Sequence, residues 1–201
     1  KHTDFDQLAL SFSVTHEVPH NNISTEVHKA GGPFTLVPLP DFEGKPCSAV
    51  VWMDYTENMD KLKSLPNTVF DNLITDRSGG VLGKLTSITN CTKWPIVSQL
   101  TDYFYAERTA FIAESAHVLP PIGAQGLNLS IGDIEALLQL TDTSANDIGS
   151  LKVLKKYHQI RRPIAQSRVI GVGLLNRASK VEGPMATHAR AIGLSVIHKI
   201  K

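Results

Sequence analysis

Residues 108–137 read RTAFIAESAHVLPPIGAQGLNLSIGDIEAL, and this stretch decides what kind of fold the chain can adopt. Its spacing predicts a strand over 109–113, then a loop, then a helix starting at Gln125 or Gly126. Pro120 and Pro121 stiffen the loop, while Gly123 and Gly126 let its backbone pass close to something flat. The first turn of a helix offers N–H groups with no intrahelical acceptor and a partial positive charge. Such a turn suits an anion or an electron-rich ring edge. Many strand–loop–helix joints look alike, so the stretch alone does not fix a function.

Upstream the period is that of strands. Residues 5–18 alternate, with Leu8, Leu10, Phe12 and Val14 on one face, and Pro19 ends the run. A second strand over 34–39 follows the Gly31-Gly32-Pro33 turn, and a Val-rich third covers 48–53. Pro38 and Pro40 put the end of the second strand at an edge. Residues 57–74 switch to helical spacing through Met59, Leu62, Leu65, Val69, Phe70, Leu73 and Ile74, interrupted at Pro66. Short strands are expected at 84–90 and 94–100.

Downstream the chain is helical. Residues 126–140 carry Leu127, Ile131, Ile134, Leu137, Leu138 and Leu140, and a break follows at 141–146. A long helix is expected over 150–179, with Ser150 as N-cap and a kink at Pro163, and a last amphipathic helix over 186–200. The fold class is therefore α+β: a mixed or antiparallel sheet flanked by helices, followed by a helical C-terminal region. The expected division is a sheet domain over 1–105, the strand–loop–helix over 106–140, and C-terminal helices over 141–201.

Composition is that of a folded chain, 42% hydrophobic and 19% charged. The apolar runs fall short of the ~20 residues that cross a bilayer, and the opening residues do not read as a secretory signal. Cys47 and Cys91 match no metal-ligand spacing and read as reduced thiols, and the three Asn-x-Ser/Thr triplets read as chance. His16 and His20 are four apart, but Pro19 breaks any helix that would align them, so no metal is expected. The net charge of +1 conceals an asymmetry: residues 1–150 hold 9 Lys/Arg against 18 Asp/Glu, residues 151–201 hold 11 against one. The basic end either docks on the acidic body, forms a solvated helix face, or meets an anionic partner.

The stretch at 108–137 resembles the second flavin-binding motif of FAD-dependent aromatic hydroxylases related to para-hydroxybenzoate hydroxylase. It is nearest the ubiquinone-biosynthesis hydroxylases, whose pattern runs roughly GDAAHxxxPxxGQGxNxGxxDxxxL. Ala116, His117, Pro121, Gln125, Gly126, Asn128, Asp133 and Leu137 stand at matching positions. The resemblance extends through Gln7-Leu8-Ala9-Leu10, Pro19-His20, Glu26, Gly32-Pro33, Leu39 and Val51-Trp52, then through Tyr157, Arg161-Arg162 and Gly193-Leu194. Ala113, Ala124 and Ser130 replace the family's usual glycines, Glu114 its usual Asp, and Pro120 a common His.

The resemblance implies a partial para-hydroxybenzoate hydroxylase-like FAD/NAD(P)-binding fold. It further implies that Glu114 contacts the ribityl–phosphate part of FAD. Pro121, Gly123, Ala124, Gln125, Gly126, Leu127 and Asn128 would line the flavin ring. No catalytic residue follows from it. His117 reads as a packed, helix-linking histidine rather than an acid or base, and Arg161-Arg162 as a solvated face or an ion-pair partner. The strand–GxGxxG–helix unit that seats a dinucleotide pyrophosphate does not occur in the sequence. The implied whole protein carries that unit before residue 1, and the present chain alone is expected to bind FAD weakly or not at all. With NAD(P)H as co-substrate and O₂, the implied reaction hydroxylates the ring of a polyprenylated phenol in ubiquinone biosynthesis. The implied location is cytoplasmic, peripheral at the inner membrane face through the basic C-terminal region, in a homo-oligomer or biosynthetic complex, without nucleic acid. Two alternatives stay open: a hydroxylase or reductase of another aromatic substrate, and a non-catalytic scaffold whose departures from the motif mark lost flavin affinity.

Overall fold

The computed structural model describes residues 1–62, 65–142 and 147–180. The chain forms two compact units, one of residues 6–95 with 177–180, the other of residues 1–5 and 96–176.

The first unit is an antiparallel sheet covered on one face by two helices. Its strands are β1 (His2–His16), β2 (Thr25–Lys29), β3 (Gly32–Phe42) and β4 (Lys45–Tyr55), in the order β2-β3-β4-β1, with β5 (Leu85–Ser87) also pairing β1. Register follows the alternation: Leu10 lies opposite Trp52 and Phe12 opposite Val50, while Phe34 and Leu36 meet the same two residues from β3. One face therefore gathers Leu10, Phe12, Val14, Phe34, Leu36, Val50 and Trp52. Met59 of α1 (Thr56–Lys61) and Phe70 and Ile74 of α2 (Asn67–Ser78) close over it. Each such buried side chain contributes about 1.5–3 kcal/mol of hydrophobic stabilisation. The opposite face carries small residues, with Ser11 opposite Val51 and Ser13 opposite Ala49, all half-buried.

β2 pairs β3 only as far as Leu36, so Pro38 and Pro40 fall where β3 has a neighbour on one side, as their missing N–H groups require. Pro66 separates the two helices as its ring demands. The glycine-rich Ser78–Gly83 segment is the end of α2: Gly79 takes φ 70° and donates to the Asp76 and Thr75 carbonyls. Alternation did not reveal β2, a short strand without a fully buried position. His16 and His20 do meet, edge to face at 5.8 Å between ring centroids, but through the turn at Pro19 rather than a helix.

In the second unit, the Lys1 carbonyl accepts from the Leu100 amide at the end of β6 (Thr92–Leu100). A small hairpin follows, β7 (Tyr105–Ala106) with β8 (Thr109–Ala110), then a 3₁₀ turn over Ala113–Ser115 and β9 (His117–Val118), which pairs β6. The helices are α3 (Gln125–Asp142) and α4 (Leu151–Lys180). Leu100, Phe104, Leu129, Leu140, Val153 and Tyr157 share the core.

One expectation is corrected here. The strand at 109–113 ends at Ala110, because Ala113 takes φ 53°, which no strand accommodates. The strand that enters the loop is β9. On α3, Leu127, Ile131, Ile134 and Leu138 are exposed, and the buried side is Leu129, Asp133, Ala136 and Leu140. α4 begins after Ser150, whose carbonyl accepts from Leu154, and it continues through Pro163. The last helix, over 186–200, lies outside the described residues, as does most of the break at 141–146.

Candidate functional site

The loop between β9 and α3 is open. Pro121, Gly123, Ala124, Gly126, Leu127 and Asn128 are exposed, and Gln125 is half-buried. Leu127, 71% exposed, stands at the first turn of α3 with its apolar surface uncovered in this chain. Pro120 and Ile122 are buried and anchor the loop. The turn is shaped by two successive left-handed residues, Gly123 at φ 63° and Ala124 at φ 51°. Side chains brace it from its rim: Gln125 Nε2 donates to the Gly123 carbonyl at 3.0 Å and Asn128 Nδ2 to the Ala124 carbonyl at 3.2 Å. A methyl group at Gly126 would meet no atom within 4 Å. Apart from Pro120 and Ile122 the bend's side chains are exposed or half-buried, and it presents the first-turn amides of α3 to whatever lies beside Gly126. That geometry fits a planar ring with acceptor atoms along one edge, as an isoalloxazine has, and the positive end of the helix favours negative charge there.

A buried carboxylate holds the bend in place. Asp133 is fully buried in the middle of α3. Its Oδ2 accepts from His117 Nε2 at 2.7 Å and from the Ala113 amide at 3.1 Å, and its Oδ1 from Arg161 Nε at 2.8 Å. Arg161 also donates to the Leu129 carbonyl at 2.8 Å. Burial alone would push the Asp133 carboxyl up, but hydrogen bonds from His117, Arg161 and Ala113 hold it below the ordinary carboxylate range. One carboxylate therefore ties β9, the 3₁₀ turn, α3 and α4 together on both sides of the loop. Gly132 makes room for this, because a Cβ there would sit 2.8 Å from Arg161 Nη2.

Glu114 is exposed on the 3₁₀ turn that Ala113 begins, where its carboxylate is free to reach a hydroxyl-bearing ligand. His117 is a linking histidine, and Arg161 is not a solvated face but an ion-pair partner, its acid being Asp133. Asp133 was visible in the sequence only as a motif position. The signal that could have assigned its role is its place in the stripe Leu129–Asp133–Ala136–Leu140, since an acid among buried apolar positions must find partners. Among the described residues no cluster of His, Cys, Asp or Glu is placed to hold a metal, and no helix is long and apolar enough to cross a membrane.

An antiparallel sheet backed by helices and joined to an open loop before a helix N-terminus defines the para-hydroxybenzoate hydroxylase-like class of flavoprotein fold. Solved structures of that class superpose on the chain. The FAD-dependent monooxygenase PqsL of Pseudomonas aeruginosa matches 90% of this chain and 50% of its own at TM-score 0.68 and 20% identity. The p-nitrophenol 4-monooxygenase PnpA of Pseudomonas putida matches 94% and 47% at TM-score 0.67 and 17% identity. The model of the FAD binding domain family matches residues 3–170, and the chain belongs to that family. Among curated relatives, an uncharacterized protein of Synechocystis is 30% identical over 96% of this chain and 47% of its own length. The ubiquinone hydroxylase UbiL of Rhodospirillum rubrum is 23% identical over 92% and 48%, and the human mitochondrial ubiquinone biosynthesis monooxygenase COQ6 is 23% identical over 98% and 49%. The chain spans about half the length of these relatives.

Proposed function

We propose that, within the whole protein, this chain supplies the sheet and the second flavin motif of an FAD-dependent monooxygenase. The reaction is hydroxylation of a phenolic ring with NAD(P)H and O₂, and the substrate class is a polyprenylated phenol of ubiquinone biosynthesis. The observation that carries this reading is the open bend at residues 121–128, whose first-turn amides face a space that a side chain at Gly126 would not clash with. Bound FAD would supply the redox chemistry that protein side chains lack. Pro121, Gly123, Ala124, Gln125, Gly126, Leu127 and Asn128 would hold its ring, and Glu114 a hydroxyl of its ribityl–phosphate arm. Asp133, His117 and Arg161 act through position alone, fixing the loop so that the amides need not reorganise during the reaction. The small-residue face of the sheet, with Ser11, Ser13, Ala49 and Val51, suits a flat apolar substrate. The exposed stripe Leu127–Ile131–Ile134–Leu138 is what a surface covered by the rest of a longer protein looks like.

Peripheral attachment to an anionic membrane is part of the proposal. α4 carries eight Lys/Arg and no acid, with Ile170 and Leu174 exposed between them. Each basic residue near such a surface adds about 1 kcal/mol. Flotation with liposomes should therefore depend on anionic lipid, and binding independent of lipid charge would remove this element. For the activity itself, the purified full-length protein should show a flavin band near ~450 nm and convert a polyprenylphenol to a hydroxylated product with NADPH and O₂. A full-length protein that neither binds flavin nor turns over would instead be the non-catalytic scaffold.

A further inference from the structure

We propose, on the hydroxylase reading just given, that His28 and Glu26 are the proton-transfer pair of the reaction, with His28 taking the proton of the phenolic hydroxyl. Both lie in the unit of residues 6–95, and strand register places them on the small-residue face of its sheet. Directly opposed residues of an antiparallel pair share a face, and so do residues two apart on one strand. Glu26 lies opposite Thr35, Thr35 opposite Val51 and Val51 opposite Ser11, so one row crosses four strands from β2 to β1. His28, two residues on from Glu26, shares that face, while Phe34 and Leu36 turn to the helix-covered core. Neighbouring strands are about 4.8 Å apart, so the row from Glu26 to Ser11 spans about 14 Å. A phenol ring fits over Thr35 and Val51 with its hydroxyl end at β2.

The pair has the geometry of an oriented base. His28 Nε2 lies 2.7 Å from Glu26 Oε1, and Thr35 Oγ1 donates to Glu26 Oε2 at 3.4 Å. An ionised carboxylate only accepts, so Nε2 carries the hydrogen of the neutral imidazole and Nδ1 keeps its lone pair. That Nδ1 has no hydrogen-bond partner among the described residues. The His28 and Glu26 side chains are 17% and 24% exposed, open enough to be reached and too sheltered for ordinary surface groups. Thr35, Val51 and Ser11 offer no base, which leaves the pair at the β2 end as the proton acceptor of the row.

The proton step balances without any change of oxidation state. The phenol O–H bond breaks, its electron pair stays on oxygen, and an N–H bond forms at Nδ1. A phenolate ring is more reactive than a phenol toward the electrophilic oxygen that FAD, NAD(P)H and O₂ supply in the proposed reaction. Glu26 acts by position and charge, orienting the ring of His28 and stabilising the imidazolium. When the hydroxylated carbon releases its hydrogen to water as a proton, His28 returns its own proton to the ring oxygen and the pair is restored.

The full-length protein is titrated with 4-nitrophenol, whose phenolate absorbs in the visible, and with 4-nitroanisole, which has no proton to give. Bound to the parent, 4-nitrophenol should ionise at a pH lower by about one unit or more than in water. His28→Gln keeps a hydrogen-bonding group without its basicity and should abolish that shift. The same variant should hold 4-nitroanisole affinity and flavin content within about twofold, yet lose at least about a hundredfold in kcat/KM for the polyprenylphenol. Glu26→Gln should keep a smaller shift than the parent. The proposal is overturned if 4-nitrophenol binds the parent unshifted or not at all, or is shifted equally in His28→Gln. Loss of 4-nitroanisole binding in that variant also overturns it, since that marks a structural role. These results leave the hydroxylase reading standing, whereas a parent that neither binds flavin nor turns over removes both.

Discussion

Ala113 and Ala124 both adopt left-handed backbone, φ 53° and φ 51°, a conformation that glycine enters without steric cost. An L-residue there costs about 1–2 kcal/mol, of which glycine returns part and loses about 0.5–1 kcal/mol in chain entropy. Ala124→Gly in the full-length protein should therefore raise stability by a few tenths to about 1 kcal/mol, read as a higher thermal midpoint. A lower midpoint would mean the left-handed turn is not strained. Asp133 carries larger consequences. Removing it as Asp133→Ala leaves Arg161 buried without its carboxylate, which should cost about 3–5 kcal/mol in a denaturant titration. Its pH signature has a definite sign. The folded carboxyl is held below its unfolded value, so its stabilisation is complete at neutral pH and fades as pH falls from about 5 through the depressed folded value. Asp133→Asn should flatten the acid limb of the stability profile; an unchanged limb would place the acid sensitivity elsewhere.

At the scale of elements, the strands were legible wherever one face is dry. Leu10, Phe12 and Val14 alternate because α1 and α2 cover that face, and Pro66 and Pro38 mark the helix break and the edge for reasons of ring geometry. The hairpin at Tyr105–Ala110 and the two-residue β9 were not legible, since such short pairings are set by the packing of Phe104 and Leu100 rather than by any local period. On α3 the apolar residues Leu127, Ile131, Ile134 and Leu138 show helical spacing and the helix forms, yet they are exposed, while the buried side holds the carboxylate. Of the candidate site, the loop residues and their helix terminus were readable from the Pro and Gly pattern. The Asp133 clamp was not, because partners as far apart as Ala113 and Arg161 come together only through the fold. If that exposed face is covered in the whole protein, Ile134→Glu should lower the thermal midpoint of the full-length molecule by several degrees, well beyond the ~0.5 kcal/mol of an ordinary surface change. A neutral effect would leave the face solvent-exposed in the whole protein too.

For the whole molecule, the claim is that this half presents a prepared cradle of main-chain amides to a flavin, and that the fold around it exists to keep that cradle open. Gly126 isolates the claim. It lies in regular helix, and a methyl group added to it would find no atom within 4 Å, so the polypeptide gains nothing sterically from glycine at this position. In the first turn of α3, where the penalty for glycine is smaller than in a helix interior, leucine should leave the ligand-free protein at least as stable as the parent. The decisive measurement is FAD affinity of full-length Gly126→Leu beside the parent, by fluorescence titration of the apoprotein. Affinity lowered at least about tenfold with an unfolding midpoint equal to or above the parent's is the predicted result. Parental affinity in a folded Gly126→Leu protein would contradict the account, because a ring seated on those amides cannot share its place with a leucine side chain.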